Sequence, residues 1–495
     1  MSIRKFGKLA AGTLAALLLL VVAFLAWPTS DAPLPDSGQS RIIANVRVVD
    51  VEAGEAGPPV SVLIRDGVIA GIGADLPPSD LPVLDGKGGY LLPAFWDMHV
   101  HTFQLSPQMH LPLWTANGVL NVRDMMDCPE AEDTLIACVA DKRRWNREVE
   151  AGRMTGPRIV ETASFYFASP DMTPTGAKAM AARQAARGVD AFKVYNPLTP
   201  SAFHAVAKEA DARGMRLVGH LPKAVALETA IAAGQDSFEH AHLLPRHCFA
   251  RAAQWRAGEM DGLSPTDLVE AIVAEYDPAR CAAPFEGLRE AGAWLVPTHV
   301  TREEDARAAD PAYLADPRLD YLDPLSRWAL GDDLSATADS YPGARGARAL
   351  RAYFDHGLAL TGAAHDAGVG VLVGTDSTIG GFRYHDEMAH LVAAGLTPAE
   401  VLRAATIDAA RYAGLDGTSG SVAVGKRADL VLLSANPLAD ISATTRIRAV
   451  VQGGRLYDRQ RLDDLLAFTR GQAAAPHIWL KLLWGFARSS VSSEL

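Results

Sequence analysis

The sequence predicts an α/β protein: a (β/α)8 TIM-like barrel carrying a small composite β-sandwich domain built from both chain ends. Three observations carry this expectation. Eight short apolar runs within residues 91–415 alternate with amphipathic, mostly Ala-rich helical stretches, the pattern of repeated βα units. A texture of short β-like runs broken by Gly and Asp, beginning at Arg41, resumes near the C-terminus as GSVAVGKRADLVLLSANP and IRAVVQGGRLYD. A module divided between the two ends of a 495-residue chain requires something large inserted in its middle.

The N-terminus carries Arg4, Lys5 and Lys8, followed by residues 9–27, an apolar run without charge. A basic segment before such a run reads as a signal peptide or N-terminal membrane anchor over residues 1–27. The run has about the length a bilayer requires, roughly 17–25 residues. Phe24 and Trp27 spoil a small-x-small cleavage site, so a retained anchor and an exported, periplasmic or otherwise extracytoplasmic body are expected. Cys128, Cys138, Cys248 and Cys281 suit an exported chain with two disulfides. The pairs closest in sequence are 128 with 138 and 248 with 281; spacing leaves the connectivity open, and four free buried thiols are the alternative.

Residues 28–40, PTSDAPLPDSGQS, form a linker with no core-forming side chains. The composite β domain is expected over 41–90 plus 416–460, with Asp66-Gly67 as a hairpin turn between apolar runs. The barrel is expected over 91–415, its strands being FWDMHVH, VLNVRD, RIVETAS, DAFKVY, RLVGHL, SFEHAH, WLVPTHV and VGVLVGTD. A charged, Pro-containing insertion at about 301–345 follows strand seven and is expected to cover the site. Thr397 with Glu400 three residues on reads as a capping box. Residues 461–495 read as a helical extension whose apolar face holds Trp479, Leu482, Leu483 and Phe486, able to dock on the body or lie in a membrane interface.

The barrel arrangement gives the polar residues a meaning. Side chains at C-terminal strand ends converge on one mouth. His99 and His101 end strand one, and i, i+2 residues share a strand face, so both imidazoles can address one divalent ion. Lys193 ends strand four, His220 strand five, His240 strand six and Asp376 strand eight. A lysine ammonium cannot bind a cation. Burial lowers its pKa, however, and a neutral amine can add CO₂ to become a carbamate with carboxylate-like oxygens.

The motifs LLPAFWDMHVHT, AFKVYNPLTP, LVGHLP, FEHAH, VLVGTDS and GSVAVGKRADLVLLSANP follow one another over nearly all the chain beyond residue 40. In this order they resemble the amidohydrolase superfamily, in its binuclear branch with a carboxylated lysine. The texture is nearest the imidazolonepropionase-like set that includes Xaa-Pro and Xaa-Arg dipeptidases. The resemblance implies two divalent metal ions, expected to be zinc. His99, His101 and Asp376 hold the more buried ion, His220 and His240 hold the other, and Lys193 carboxylated by CO₂ bridges them. It also implies hydrolysis of an amide bond by a metal-bridging hydroxide, with Asp376 as general base and acid.

Tyr195 shares the strand parity of Lys193 and is a candidate for holding a substrate carboxylate or an oxyanion. Arg123 at the end of strand two and His385 in RYHDE are further substrate-binding candidates, the alternatives being a structural pairing of Arg123 with Asp124 and a loop role for His385. His242 has the parity to accompany His240 although the family motif does not need it, and His299 is read as structural. The expected substrate is a small molecule or short peptide, a dipeptide or N-acyl amino acid. Alternatives on the same site are an esterase, lactonase or phosphotriesterase activity, or a non-catalytic metal-binding barrel. A net charge of −11 without a basic stripe argues against nucleic acid as a partner, and a homo-oligomer is compatible with the sequence.

Overall fold

The computed structural model describes residues 13, 19–74, 76 and 80–493. Seven strands form one mixed sheet: β1 (Arg41–Asp50), β2 (Glu55–Arg65), β3 (Val68–Gly73), β4 (Val83–Pro93), β13 (Leu430–Leu433), β14 (Ile447–Gln452) and β15 (Arg455–Tyr457), ordered β15-β14-β13-β4-β1-β2-β3. The two chain ends meet where β4 pairs antiparallel with β13, from Pro93 opposite Leu430 to Tyr90 opposite Leu433. Asp66 (φ 47°) and Gly67 (φ 78°) take the left-handed conformations that a tight β2–β3 hairpin needs. The expected sandwich of two sheets is thus a single continuous sheet. Register shifts in β1 between Ile43 and Val46 and between Arg47 and Val49 bend it. One face packs on itself through Ile43, Val62, Leu91, Leu430 and Val451, while Leu92, Val431, Leu433 and Val450 face the large core.

Eight further strands occupy the predicted runs: β5 (Phe95–Val100), β6 (Val119–Asp124), β7 (Arg158–Thr162), β8 (Ala191–Val194), β9 (Arg216–Gly219), β10 (Ser237–Glu239), β11 (Trp294–Val296) and β12 (Gly370–Val371). They pair in parallel as β5-β6-β7, β8-β9 and β10-β11-β12. Single parallel bridges join the groups, Ala163 to Ala191 and Leu217 to Gln235. The backbone N–H of Met98 in β5 donates to Val373 O just beyond β12 at 2.9 Å. Buried on all sides, these strands read as continuous apolar runs such as AFKV. Helices Pro174–Arg187 and Pro200–Arg213 show how the connections are punctuated. Thr173 and Thr199 accept the N-terminal N–H groups, Pro starts each helix, and Gly188 and Gly214 end them in left-handed conformations.

The 301–345 insertion is largely helical, within His299–Ala306, Pro324–Ser340 and the start of Gly343–Asp366. Thr397 and Glu400 form the capping box reciprocally. Disulfides join Cys128 to Cys138 and Cys248 to Cys281. The C-terminal helix Pro476–Arg488 docks through Ile478 and Gly485, whose carbonyl accepts from Thr134 Oγ1 at 2.8 Å. Leu483 and Trp484, 44% and 51% exposed, point away, so Leu483 does not belong to the packed face. A Cβ on Gly485 would lie 2.6 Å from Thr134 O, which sets that face by excluding any larger residue. Most of the expected N-terminal anchor lies outside the described residues. Its described end is helical over residues 19–26, with Lys481 Nζ donating to Leu25 O. Among the described residues no helix is long and apolar enough to cross a membrane.

Candidate metal centre

Five strand ends deliver the predicted polar residues to one place. His99 lies in β5 and His101 just after it, Lys193 in β8, His220 directly after β9, and His240 directly after β10. Asp376 lies beyond β12, its backbone N–H donating to His99 O at 2.7 Å. The Asp376 carboxylate stands 3.1 Å from His101 Nε2, 3.6 Å from His99 Nε2 and 4.0 Å from His240 Nε2. His240 Nε2 faces His220 Nε2 at 2.9 Å. Lys193 is buried among them, and burial pulls its pKa down from the ordinary lysine value.

The backbone is strained where these groups converge. Among the described residues six non-glycines have positive φ. Asn45, Asp66 and Lys87 belong to the terminal sheet, whereas His240 (φ 74°), Thr298 (φ 45°) and Asp376 (φ 50°) lie at strand ends in the site. Such conformations persist where the surroundings over-determine them, and they cluster at working sites. Gly374 has a related cause: a Cβ there would lie 2.5 Å from Val296 Cγ1 and 3.0 Å from the His99 nitrogen.

A supporting set of buried groups fixes the imidazoles. Glu239, next to His240, accepts from His99 Nδ1 at 3.1 Å, from Arg123 at 2.9 Å and from Ser237 at 2.7 Å. Burial alone would raise the Glu239 carboxyl, but Arg123 and His99 outweigh it and hold it at about 2. The contact with this carboxylate fixes the His99 ring, whose Nε2 is buried and without a hydrogen-bond partner. His240 Nδ1 lies 2.8 Å from Thr298 Oγ1, which likewise directs Nε2 inward. Burial lowers the pKa of His101, His220 and His240, so these rings are neutral near pH 7 and have lone pairs to give. Asp97 accepts from Thr375 N and Oγ1 and ties β5 to the β12 loop; burial pushes it up to about 7.

These features fit a bound cation. One ligand atom each from His99, His240 and Asp376 lies within 4.8 Å of the others. The donors are imidazole nitrogens and one carboxylate, and the histidines around Asp376 hold its pKa below the ordinary carboxylate value against the effect of burial. The centre opens into a cavity of about 1200 Å³ lined by His101, Lys193, Tyr195, His220, His240 and Asp376, together with Phe165, Tyr166, Arg246 and Arg302. The Tyr195 ring lies 4.0 Å from that of His220.

Two candidates are corrected. Arg123 is wholly buried and bonds Met98 O, Ser237, Tyr412 and Glu239; its place at a strand end did not reveal its depth beneath the centre. His385 is buried away from the cavity, with Nδ1 3.0 Å from Thr444 Oγ1. Sequence reasoning missed Glu239 and Thr298. Both were signalled by position, Glu239 beside His240 in FEHAH and Thr298 ending strand seven in VPTHV.

A strand-end centre of this kind defines a class of hydrolase-like α/β proteins, and residues 191–457 match the model described as "Amidohydrolase family". The chain belongs to the amidohydrolase family. Ochratoxinase of Aspergillus niger is 33% identical over 112 residues, 22% of this chain and 23% of that protein. The match therefore spans about a quarter of the length of this curated relative. Among solved structures, bottromycin amidohydrolase superposes with a TM-score of 0.64 at 24% identity, covering 89% of this chain and 92% of the other. A Xaa-Pro dipeptidase with bound methionine gives 0.59 at 18% identity, covering 85% and 100%. At these identities the structural likeness establishes the fold.

Proposed function

We propose that this chain is a binuclear metal-dependent amidohydrolase that cleaves an amide bond in a dipeptide or N-acyl amino acid. The observation that carries the reading is His99 Nε2. This ring nitrogen is buried without a hydrogen-bond partner, on a ring held by the Glu239 contact, and faces Asp376 and His240. His99, His101 and Asp376 would hold one divalent ion, expected to be zinc, and His220 and His240 a second, with a Lys193 carbamate between them. Burial and the lowered lysine pKa support the carbamate, because only a neutral amine adds CO₂. The interstrand bridges and the Met98–Val373 bond support reading β5 to β12 as a closed eight-stranded barrel.

Divalent ions held there supply an acidified water and a Lewis acid for the scissile carbonyl. Asp376, ionised and 3.1 Å from His101, accepts the water proton and delivers it to the departing nitrogen. Glu239 and Thr298 hold the His99 and His240 rings by their Nδ1 atoms and so orient both Nε2 atoms toward the centre. Tyr195, its phenol kept protonated by burial, donates to the oxyanion or to a substrate carboxylate. The two disulfides and the basic N-terminus support an exported enzyme held at a membrane by residues 9–27.

The test is metal analysis after dialysis combined with hydrolysis of a dipeptide and N-acyl amino acid panel, aryl esters and lactones by zinc-loaded protein. About two ions per chain with amine release supports the reading. Preferential turnover of esters or lactones replaces the substrate class, and absence of bound metal rejects the centre.

A further inference from the structure

A recess of about 240 Å³ adjoins the metal cavity, and Asn196, His242 and Arg246 line both spaces. We propose that this recess seats the free α-carboxylate of the substrate and that the Arg246 guanidinium selects it. The proposal rests on the hydrolase reading above and names the group by which that site chooses its substrates.

Charge bookkeeping singles out Arg246. Lys223, also in the recess, is paired with Asp261, and Arg302 in the main cavity is paired with Asp305 at 2.6 Å. Glu239 reaches the recess but spends its carboxylate on Arg123, His99 and Ser237. Arg246 has no carboxylate within ion-pair distance among the described residues. Its guanidinium lies 5.6 Å over the ring of buried Trp255, which aims it without neutralising it. The segment that carries it is tied down immediately afterwards by the Cys248–Cys281 disulfide. A half-buried, preoriented guanidinium without a counter-ion is a seat for a carboxylate, which its parallel N–H groups match in geometry.

Position agrees with chemistry. In an N-acyl amino acid or dipeptide the α-carboxylate is two bonds beyond the scissile nitrogen, so its seat must adjoin the imidazoles around the reacting carbonyl. His242 supplies that adjacency: it lines both spaces, and its ring stacks on His240 with centroids 5.6 Å apart and planes at 6°. Asn196 brings an amide to the same junction.

The test uses the zinc-loaded full chain and two ligands without a cleavable bond, 3-benzoylpropanoate and its neutral alcohol analogue, 4-hydroxy-1-phenylbutan-1-one. In the first, a methylene replaces the amide nitrogen of an N-benzoyl amino acid. Calorimetric titration should find the carboxylate bound roughly 10- to 100-fold more tightly than the alcohol, the range for a hydrogen-bonded charged pair. Arg246→Ala should erase that preference and Arg246→Lys should keep part of it. Equal affinity of wild-type protein for both ligands, failure to bind either, or equal weakening of both in Arg246→Ala overturns the proposal. The hydrolase reading fails separately, through absence of amine release from the amide panel, while a preference lost in Arg246→Ala would stand.

Discussion

Asp376 combines two demands that rarely meet in one side chain: it is surrounded by imidazoles, and it sits at φ 50°, where few non-glycine residues settle. Replacing it with Asn keeps the size but removes the proposed proton acceptor. Asp376→Asn should therefore retain most bound metal while kcat falls by about 10²-fold or more, measured by paired metal analysis and steady-state kinetics. Lys193→Ala should lose binuclear loading and regain part of its activity with added short-chain carboxylic acids; undiminished activity without them would contradict the carbamate. His385, now a structural residue, can be tested through its titration. Burial depresses its pKa from 6.5 to about 4, so below pH 6.5 the unfolded chain binds a proton that the folded chain refuses. Stability from this residue is complete above pH 6.5 and is lost as pH falls towards 4, by roughly 3 kcal/mol over that window. Denaturant unfolding between pH 7 and 4.5 should show a shallower acid slope in His385→Gln than in wild type.

At the scale of elements, strands ending in metal-directed residues were the most legible part of the sequence, because their apolar runs are short, buried and bounded by turn residues. The Thr-Pro starts and Gly ends of helices were legible for the same reason: capping is a local property. Depth was not. Arg123 and His385 sit at positions where proximity to a strand end suggested the cavity, yet Arg123 lies beneath it and His385 aside from it. Glu239 and Thr298 gain their meaning only from the rings they touch across 140 and 58 residues of chain. Gly374 also depends on neighbours invisible in sequence, since Val296 of β11 and the His99 backbone of β5 pass too close to allow a Cβ. Gly374→Ala should push Val296 and the His99 backbone apart, weakening metal retention more than it lowers helix content. Competitive chelator titration alongside circular dichroism separates the two, and unchanged metal affinity would mean that the loop relaxes elsewhere.

For the whole molecule, the centre joins strands from both halves of the inserted body, from β5 at residue 95 to the loop after β12 at residue 376, while the terminal sheet clamps the same body by pairing β4 with β13. Cations bound at such a point act on global stability, because the unfolded chain scatters their ligands. An ion present at a thousand times its dissociation constant adds about 4 kcal/mol. Stripping metal with a chelator should thus lower the melting temperature by several degrees, and restoring zinc should recover it. Lys193→Ala should melt close to stripped wild type and respond less to zinc, because it lacks the proposed bridging group. Coincident melting of stripped and loaded wild-type protein would show that the ligand residues are held together by packing alone, and the Lys193 variant would then owe its defect to chemistry and not to assembly of the site.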